Sequence, residues 1–135
     1  MNDLRDKEPI HVAAGLIWKE GRMLITKRPE GKHLGGMWEL PGGKKENHET
    51  LKMCLEREIK EELGMDIQAE KLILTVQHEY DKRLVILHLF ECSCHEGSPR
   101  PLEGQEIKWV NPKDLKRYTF PPPDQKIFEF LFKLF

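Results

Sequence analysis

No charge of one sign dominates this chain. Over 135 residues, 22 Lys and Arg stand against 23 Asp and Glu, a formal net charge of −1. That balance excludes a global field able to hold the protein on a nucleic acid or an anionic membrane, so neither is an expected partner. No apolar run approaches the roughly 20 residues that span a bilayer. The opening Met1-Asn2-Asp3-Leu4-Arg5-Asp6 has no apolar stretch that would direct secretion. Cysteine is scarce and odd in number, three in all, which is no disulfide framework and points to a reducing cytoplasm. Internal repeats and linkers are missing too. One domain is therefore expected over residues 10–135, behind a loose polar arm at 1–9. What remains is an ordinary globular composition, 39% apolar with 9 Pro and 10 Gly, in which a charged fraction of 33% leaves room for local patches.

Ile10 to Trp18 reads as a buried strand, Glu20-Gly21 as a turn, and Met23 to Thr26 as the returning strand of a hairpin. Pro29 to Lys45 is dominated by Gly and Pro and is expected to be loop, with a short strand around Trp38 to Leu40. Asn47 to Leu63 is the strongest helix. Asn47 is its expected cap, Glu49 suits the first turn, Gly64 suits the C′ position, and Leu51, Leu55, Ile59 and Leu63 form one apolar stripe. Leu72 to Val76, Leu84 to Cys94 and Ile107 to Val110 read as strands, Pro112 to Leu115 as one helical turn, and Gln125 onward as a last helix. Strands flank helices irregularly, which implies an α/β protein with a mixed sheet rather than a regular βαβ series.

Chemistry concentrates between Gly43 and Met65. On a helix Glu58, Glu61 and Glu62 lie at i, i+3 and i+4, so their like charges crowd one face and destabilise it unless something compensates. Hard divalent cations take carboxylate oxygens and are commonly shared with substrate phosphates. The adjacent Gly-rich loop could add carbonyl ligands, and Lys44 could meet a phosphate. Alone, Glu-x-x-Glu-Glu is also a common solvated helix face. The framework around it is more specific: Gly43, five residues, Glu49, seven residues, Arg57-Glu58-Ile59, one residue, Glu61-Glu62, one residue, Gly64-Met65.

That framework resembles the signature of the Nudix hydrolases at every fixed position, with Met65 slightly off type. Gly36 to Lys44, Leu24 to Arg28, Glu103-Gly104-Gln105 and Phe120-Pro121-Pro122 resemble the MutT branch in order and spacing, from about Val12 to Asp124. The resemblance implies an α/β/α sandwich with a mixed central sheet. It also implies Mg²⁺-dependent (or Mn²⁺-dependent) hydrolysis of a small-molecule nucleoside triphosphate such as 8-oxo-dGTP to the monophosphate and pyrophosphate. By the same resemblance Glu58, Glu61 and Glu62 hold the metal with the carbonyl of Gly42, and Glu103 is a further ligand or general base. Arg28, His33, Glu39, Leu40, Pro41 and Gly42 are substrate positions, and Tyr80 and Arg83 lie where MutT places an aromatic and an arginine near the base.

Plainer readings stand beside these. Arg57 and Glu49 form an ion pair that fixes loop to helix, Arg28 and His33 are exposed loop or strand-end residues, and Tyr80 is a core tyrosine. Asp124 departs from MutT, which has Asn there; an ionised Asp only accepts, whereas a protonated one also donates. Relatives preferring cytosine nucleotides carry Asp at this position, and so do some that remove oxidised purine nucleotides, which keeps a CTP or modified-dCTP pyrophosphohydrolase open beside the purine reading. By the same resemblance ADP-ribose hydrolysis is disfavoured, since that branch usually places a proline shortly downstream of the box and none occurs between Ile67 and Gly97. A non-catalytic Nudix-like module is disfavoured because the box glutamates are intact. Cys92 and Cys94 near His88 and His95 lack the Cys-x-x-Cys pairing of zinc sites. The four Phe between residues 128 and 135 suit helix packing, in a monomer or weak homodimer.

Overall fold

The computed structural model describes residues 8–31 and 34–133, with residues 95 and 96 described by backbone alone. Most of the expected arm, His33 and the last two residues lie outside these. Two long strands, β1 (Ile10–Lys19) and β6 (Arg83–Glu96), run parallel from Ile10↔Val85 to Ile17↔Cys92. Around them the sheet is antiparallel: β5 (Asp66–Tyr80) on β6, and β2 (Arg22–Lys27) on the end of β1. The short β3 (Trp38–Glu39) and β7 (Glu106–Val110) pair with β2, and β4 (Gly42–Lys44) pairs with β1. The sheet is therefore mixed.

Alternation along β1 and β6 feeds two cores. Ala13, Ile17, Phe90 and Cys92 face helix α1 (Leu51–Leu63), which buries Leu55, Ile59 and Leu63 completely. Ala14, Leu16, Leu87 and Leu89 face the opposite side, where Leu115, Phe120 and helix α2 (Pro122–Phe132) close the second layer. Burying each of the Leu, Ile and Phe side chains among these contributes about 1.5–3 kcal/mol. The result is the α/β/α sandwich.

Several boundaries differ from the sequence reading, each for a local reason. The turn at Glu20-Gly21 forms as expected, both residues taking positive φ. Helix α1 starts later than expected: Thr50, not Asn47, is the cap, its hydroxyl accepting from the Met53 N–H at 3.1 Å. Glu49 therefore precedes the helix instead of joining its first turn. β4 forms inside the expected loop, and β5 is far longer than Leu72 to Val76, with irregularities near Asp66, Ala69 and Leu72. α2 begins three residues before Gln125, because Pro122 and Pro123 occupy positions whose N–H groups need no helical partner. Phe128 packs edge-on against Phe120, whereas Phe130 is exposed.

Candidate active site at the junction of the Gly-rich strand and the first helix

β4 brings Gly42 and Gly43 against Ala14 and Ala13 of β1. A Cβ at Gly42 would collide with the Ala13 carbonyl, and one at Gly43 with the Glu58 carboxylate. The two glycines thus let a strand, a helix and a carboxylate meet at contact distance. Arg57 locks the junction. Its Nε and Nη2 donate to Glu49 at 2.9 and 2.6 Å, Nη2 also to the Lys44 carbonyl at 3.3 Å, and Nη1 to Glu58 at 3.2 Å and Glu61 at 3.1 Å. Glu49 further accepts the Glu46 N–H at 2.9 Å. Hydrogen bonds from Arg57 first, then from Glu46, hold the Glu49 carboxyl down at about 2. The loop-to-helix ion pair is thereby realised.

Above this junction lies a cavity of about 350 Å³ walled by Gly42, Gly43, Lys44, Glu58, Glu62, Arg28 and Glu39. A cleft beside it is lined by Glu39, Glu62, Glu103 and Gln105. Burial, reinforced by the carboxylates of Glu58, Glu39 and Glu103, pushes Glu62 up to about 9. Burial also raises Glu58, against the pull of Arg57. Glu39 is raised by burial even though Arg28 Nε donates to it at 3.0 Å. This is a site strained by like charge and supplied only with oxygen donors, the chemistry a hard divalent cation relieves. Among the described residues, no three His, Cys, Asp or Glu side chains close on a single point, so the carboxylates ring the cavity rather than grip its centre.

Glu61 does not join them. It is held by Arg57 four residues earlier, with its side chain 54% exposed, so the expected convergence of three carboxylates is reduced to Glu58 and Glu62 on α1. Glu103 reaches the same region from the loop before β7. That loop is stitched to the end of α1, where Arg100 and Leu102 donate to the Leu63 and Glu62 carbonyls at 2.9 and 3.1 Å.

A second cavity of about 390 Å³ opens from the first. The two share Val12, Arg28, Glu39, Lys44, Leu87 and Asp124, and the second adds Tyr80, Arg83, Val85 and Pro121. Asp124 is buried at the common wall and its Oδ2 accepts the Leu40 N–H at 3.0 Å. Burial pushes its carboxyl up to about 7, within reach of both protonation states near neutrality. Burial, with the nearby Asp124 carboxylate second, raises the Tyr80 phenol to about 12, so it stays a neutral ring. Arg83 Nε donates to the Glu8 carbonyl at 3.0 Å.

Of the substrate positions expected from sequence, Arg28, Glu39, Leu40, Gly42, Lys44, Tyr80, Arg83 and Asp124 line one or both cavities. Pro41 does not: it is buried, and its carbonyl accepts the Gly15 N–H at 3.0 Å. His33 lies outside the described residues. Missed in the sequence were the apolar walls Val12, Val85, Leu87 and Pro121. Their signal was only the alternation of two strands and a proline run. Cys92 points into the core, its thiol pushed up to about 12 by burial, while Cys94 is exposed.

Comparison with known proteins places this geometry in a family. The NUDIX domain profile matches residues 13–130. The chain is 31% identical over 120 residues to a CTP pyrophosphohydrolase of Escherichia coli (strain K12), covering 89% of each. It is 36% identical over 123 residues to an 8-oxo-dGTP diphosphatase of Haemophilus influenzae, covering 90% of each. Among solved structures, the solution structure of the E. coli ORF135 protein superposes with a TM-score of 0.82 at 30% identity, over 95% of this chain and 91% of that one.

Proposed function

The chain belongs to the Nudix hydrolases, pyrophosphohydrolases acting on acid anhydrides, and from that premise we propose that it converts nucleoside triphosphates, oxidised purine nucleotides such as 8-oxo-dGTP among them, to the monophosphate and pyrophosphate. One observation carries the reading: a carboxylate-ringed cavity and an apolar, aromatic-walled cavity share one wall. A polyphosphate with its counter-ion fits the first, a nucleobase the second.

Members of this family generally use divalent ions such as Mg²⁺. In this chain Glu58, Glu62 and the Gly42 carbonyl would hold Mg²⁺ or Mn²⁺, with Glu103 across the cleft; Glu61 joins only by leaving Arg57. When bound, the ion neutralises the polyphosphate, acidifies water and stabilises in-line displacement at phosphorus. Glu103, on an exposed loop, takes the proton of the attacking water. The water oxygen bonds to the β-phosphorus, and the bond from that phosphorus to the bridging oxygen of the nucleoside monophosphate breaks. Lys44 offers its ammonium to phosphate oxygens, and the Arg28 fork, braced by Glu39, does the same. Tyr80 stacks on the base and Asp124 reads its edge. Arg57 and Glu49 hold the strand and helix together, at a distance from the substrate.

A second substrate reading, CTP or a modified dCTP, rests on Asp124 and on the E. coli CTP pyrophosphohydrolase relative. A panel of standard and oxidised nucleoside triphosphates, assayed with Mg²⁺ for pyrophosphate at pH 6 and pH 8, separates the two. An oxidised purine nucleotide is expected to be the best substrate. Its advantage over the unoxidised form should change across this range, because Asp124 donates only below about pH 7. Asp124→Asn should flatten that pH dependence. Preference for a cytosine nucleotide at both pH values would move the assignment to the second reading.

A further inference from the structure

The loop before β7 ends on Gln105, a half-buried residue whose amide is engaged at both ends. Its Nε2 donates to the Glu62 carbonyl at 3.1 Å, and its Oε1 accepts the Glu103 backbone N–H at 3.0 Å. One planar group therefore joins two residues whose carboxylates face the same cleft. Helix capping does not explain it. The Glu62 carbonyl already receives the Leu102 N–H, and Leu63 that of Arg100, so neither carbonyl needs Gln105 for a partner. What Gln105 adds is the tie to Glu103, whose side chain sits on an exposed turn closed by the Gly104 N–H on the Pro101 carbonyl. Without such a tie a long loop carboxylate samples many positions. The pairing also needs a donor and an acceptor on one rigid group: Glu could not donate to the carbonyl, and Lys could not accept the N–H.

We propose that Gln105 is a positioning residue for the hydrolytic step, fixing the Glu103 backbone against the end of α1 and so setting the spacing of the Glu103 and Glu62 carboxylates. The inference rests on the proposed role of Glu103. Gln105 acts through the backbones of Glu103 and Glu62, at the edge of the carboxylate cleft, and does not line the base cavity.

Gln105→Leu keeps the bulk and removes both bonds. Gln105→Glu still accepts the Glu103 N–H but sets an oxygen against the Glu62 carbonyl. In both, kcat should fall at least about tenfold, since misplacing a reacting group by 1 Å costs up to about 100-fold. KM for the nucleotide should stay within about twofold, because base and phosphate contacts are intact. Mn²⁺ affinity of the nucleotide-free protein, read by electron paramagnetic resonance of the free ion, should weaken. In a Glu103→Gln background neither substitution should lower kcat further, the signature of two residues acting as one. Normal kcat in both variants, or a loss that multiplies on that of Glu103→Gln, overturns the proposal. If Glu103→Gln alone is silent, the role of Glu103 falls and this inference with it. If Glu103→Gln is impaired while both Gln105 variants turn over normally, the inference alone falls.

Discussion

Glu58 and Glu62 line the cavity while Glu61, next to Glu62 in the chain, lies outside it and half-exposed, so three neighbouring carboxylates should do unequal work. Replacing a ligand of the divalent ion removes several kcal/mol of charge stabilisation, or roughly 100-fold or more in rate. Glu58→Gln and Glu62→Gln are each expected to lose at least that in kcat, and Glu61→Gln about tenfold or less, in steady-state assays at saturating Mg²⁺. A Glu61 variant as impaired as the other two would contradict the partition. The sequence held the glutamates at fixed spacing but not this division, because positions i+3 and i+4 share a face in any helical projection. What separates them is the wall of a cavity that Glu58 and Glu62 line and Glu61 does not, a tertiary fact. The Glu49–Arg57 pair was legible from the motif. The burial of Asp124 was not, since it depends on a backbone N–H from Leu40, distant in the chain.

At the scale of elements, the stripe of Leu55, Ile59 and Leu63 and the alternation of β1 and β6 announced their elements, because burial on one face leaves a period in the chain. Elements without such a period stayed hidden. Gly42 and Gly43 carry no strand preference and are recruited by pairing with β1. The exposed face of β5, with Gln68, Glu70, Gln77 and Glu79, hides its length. The helix start was read at Asn47, and Glu49 moved it by turning back onto Arg57 and the Glu46 N–H, leaving Thr50 to cap. Thr50→Ala is therefore expected to cost about 1 kcal/mol of stability by thermal or denaturant unfolding, and Asn47→Ala less than about 0.5 kcal/mol. The reverse order would return the cap to Asn47.

For the whole molecule, the near-zero net charge is an average over unequal parts. Between Glu46 and Glu62 six Glu face Lys52, Arg57 and Lys60, and folding gathers Glu58 and Glu62 with Glu39 and Glu103. This has a thermodynamic consequence. Glu62 ionises at an ordinary 4.5 when unfolded and near 9 when folded, so the native state holds the extra proton between those values. Stability contributed by that proton is full below about 4.5 and is lost as pH rises through 9. Above pH 7, where the lowered pKa values of His78 and His88 no longer act in the opposite sense, the metal-free protein should lose roughly 2 kcal/mol by pH 9. Saturating Mg²⁺ should flatten that fall, both effects being read by unfolding at fixed ionic strength. Stability rising with pH over the same range would show that Glu62 is ionised in the metal-free fold.

The most direct test follows the oxygen of water. Hydrolysis of 8-oxo-dGTP in ¹⁸O-labelled water with Mg²⁺, resolved by mass spectrometry, should yield pyrophosphate carrying the label and unlabelled monophosphate, with no turnover in chelator. Release of orthophosphate, label in the monophosphate, or equal turnover without a divalent ion would contradict attack at the β-phosphorus in a carboxylate-held metal site.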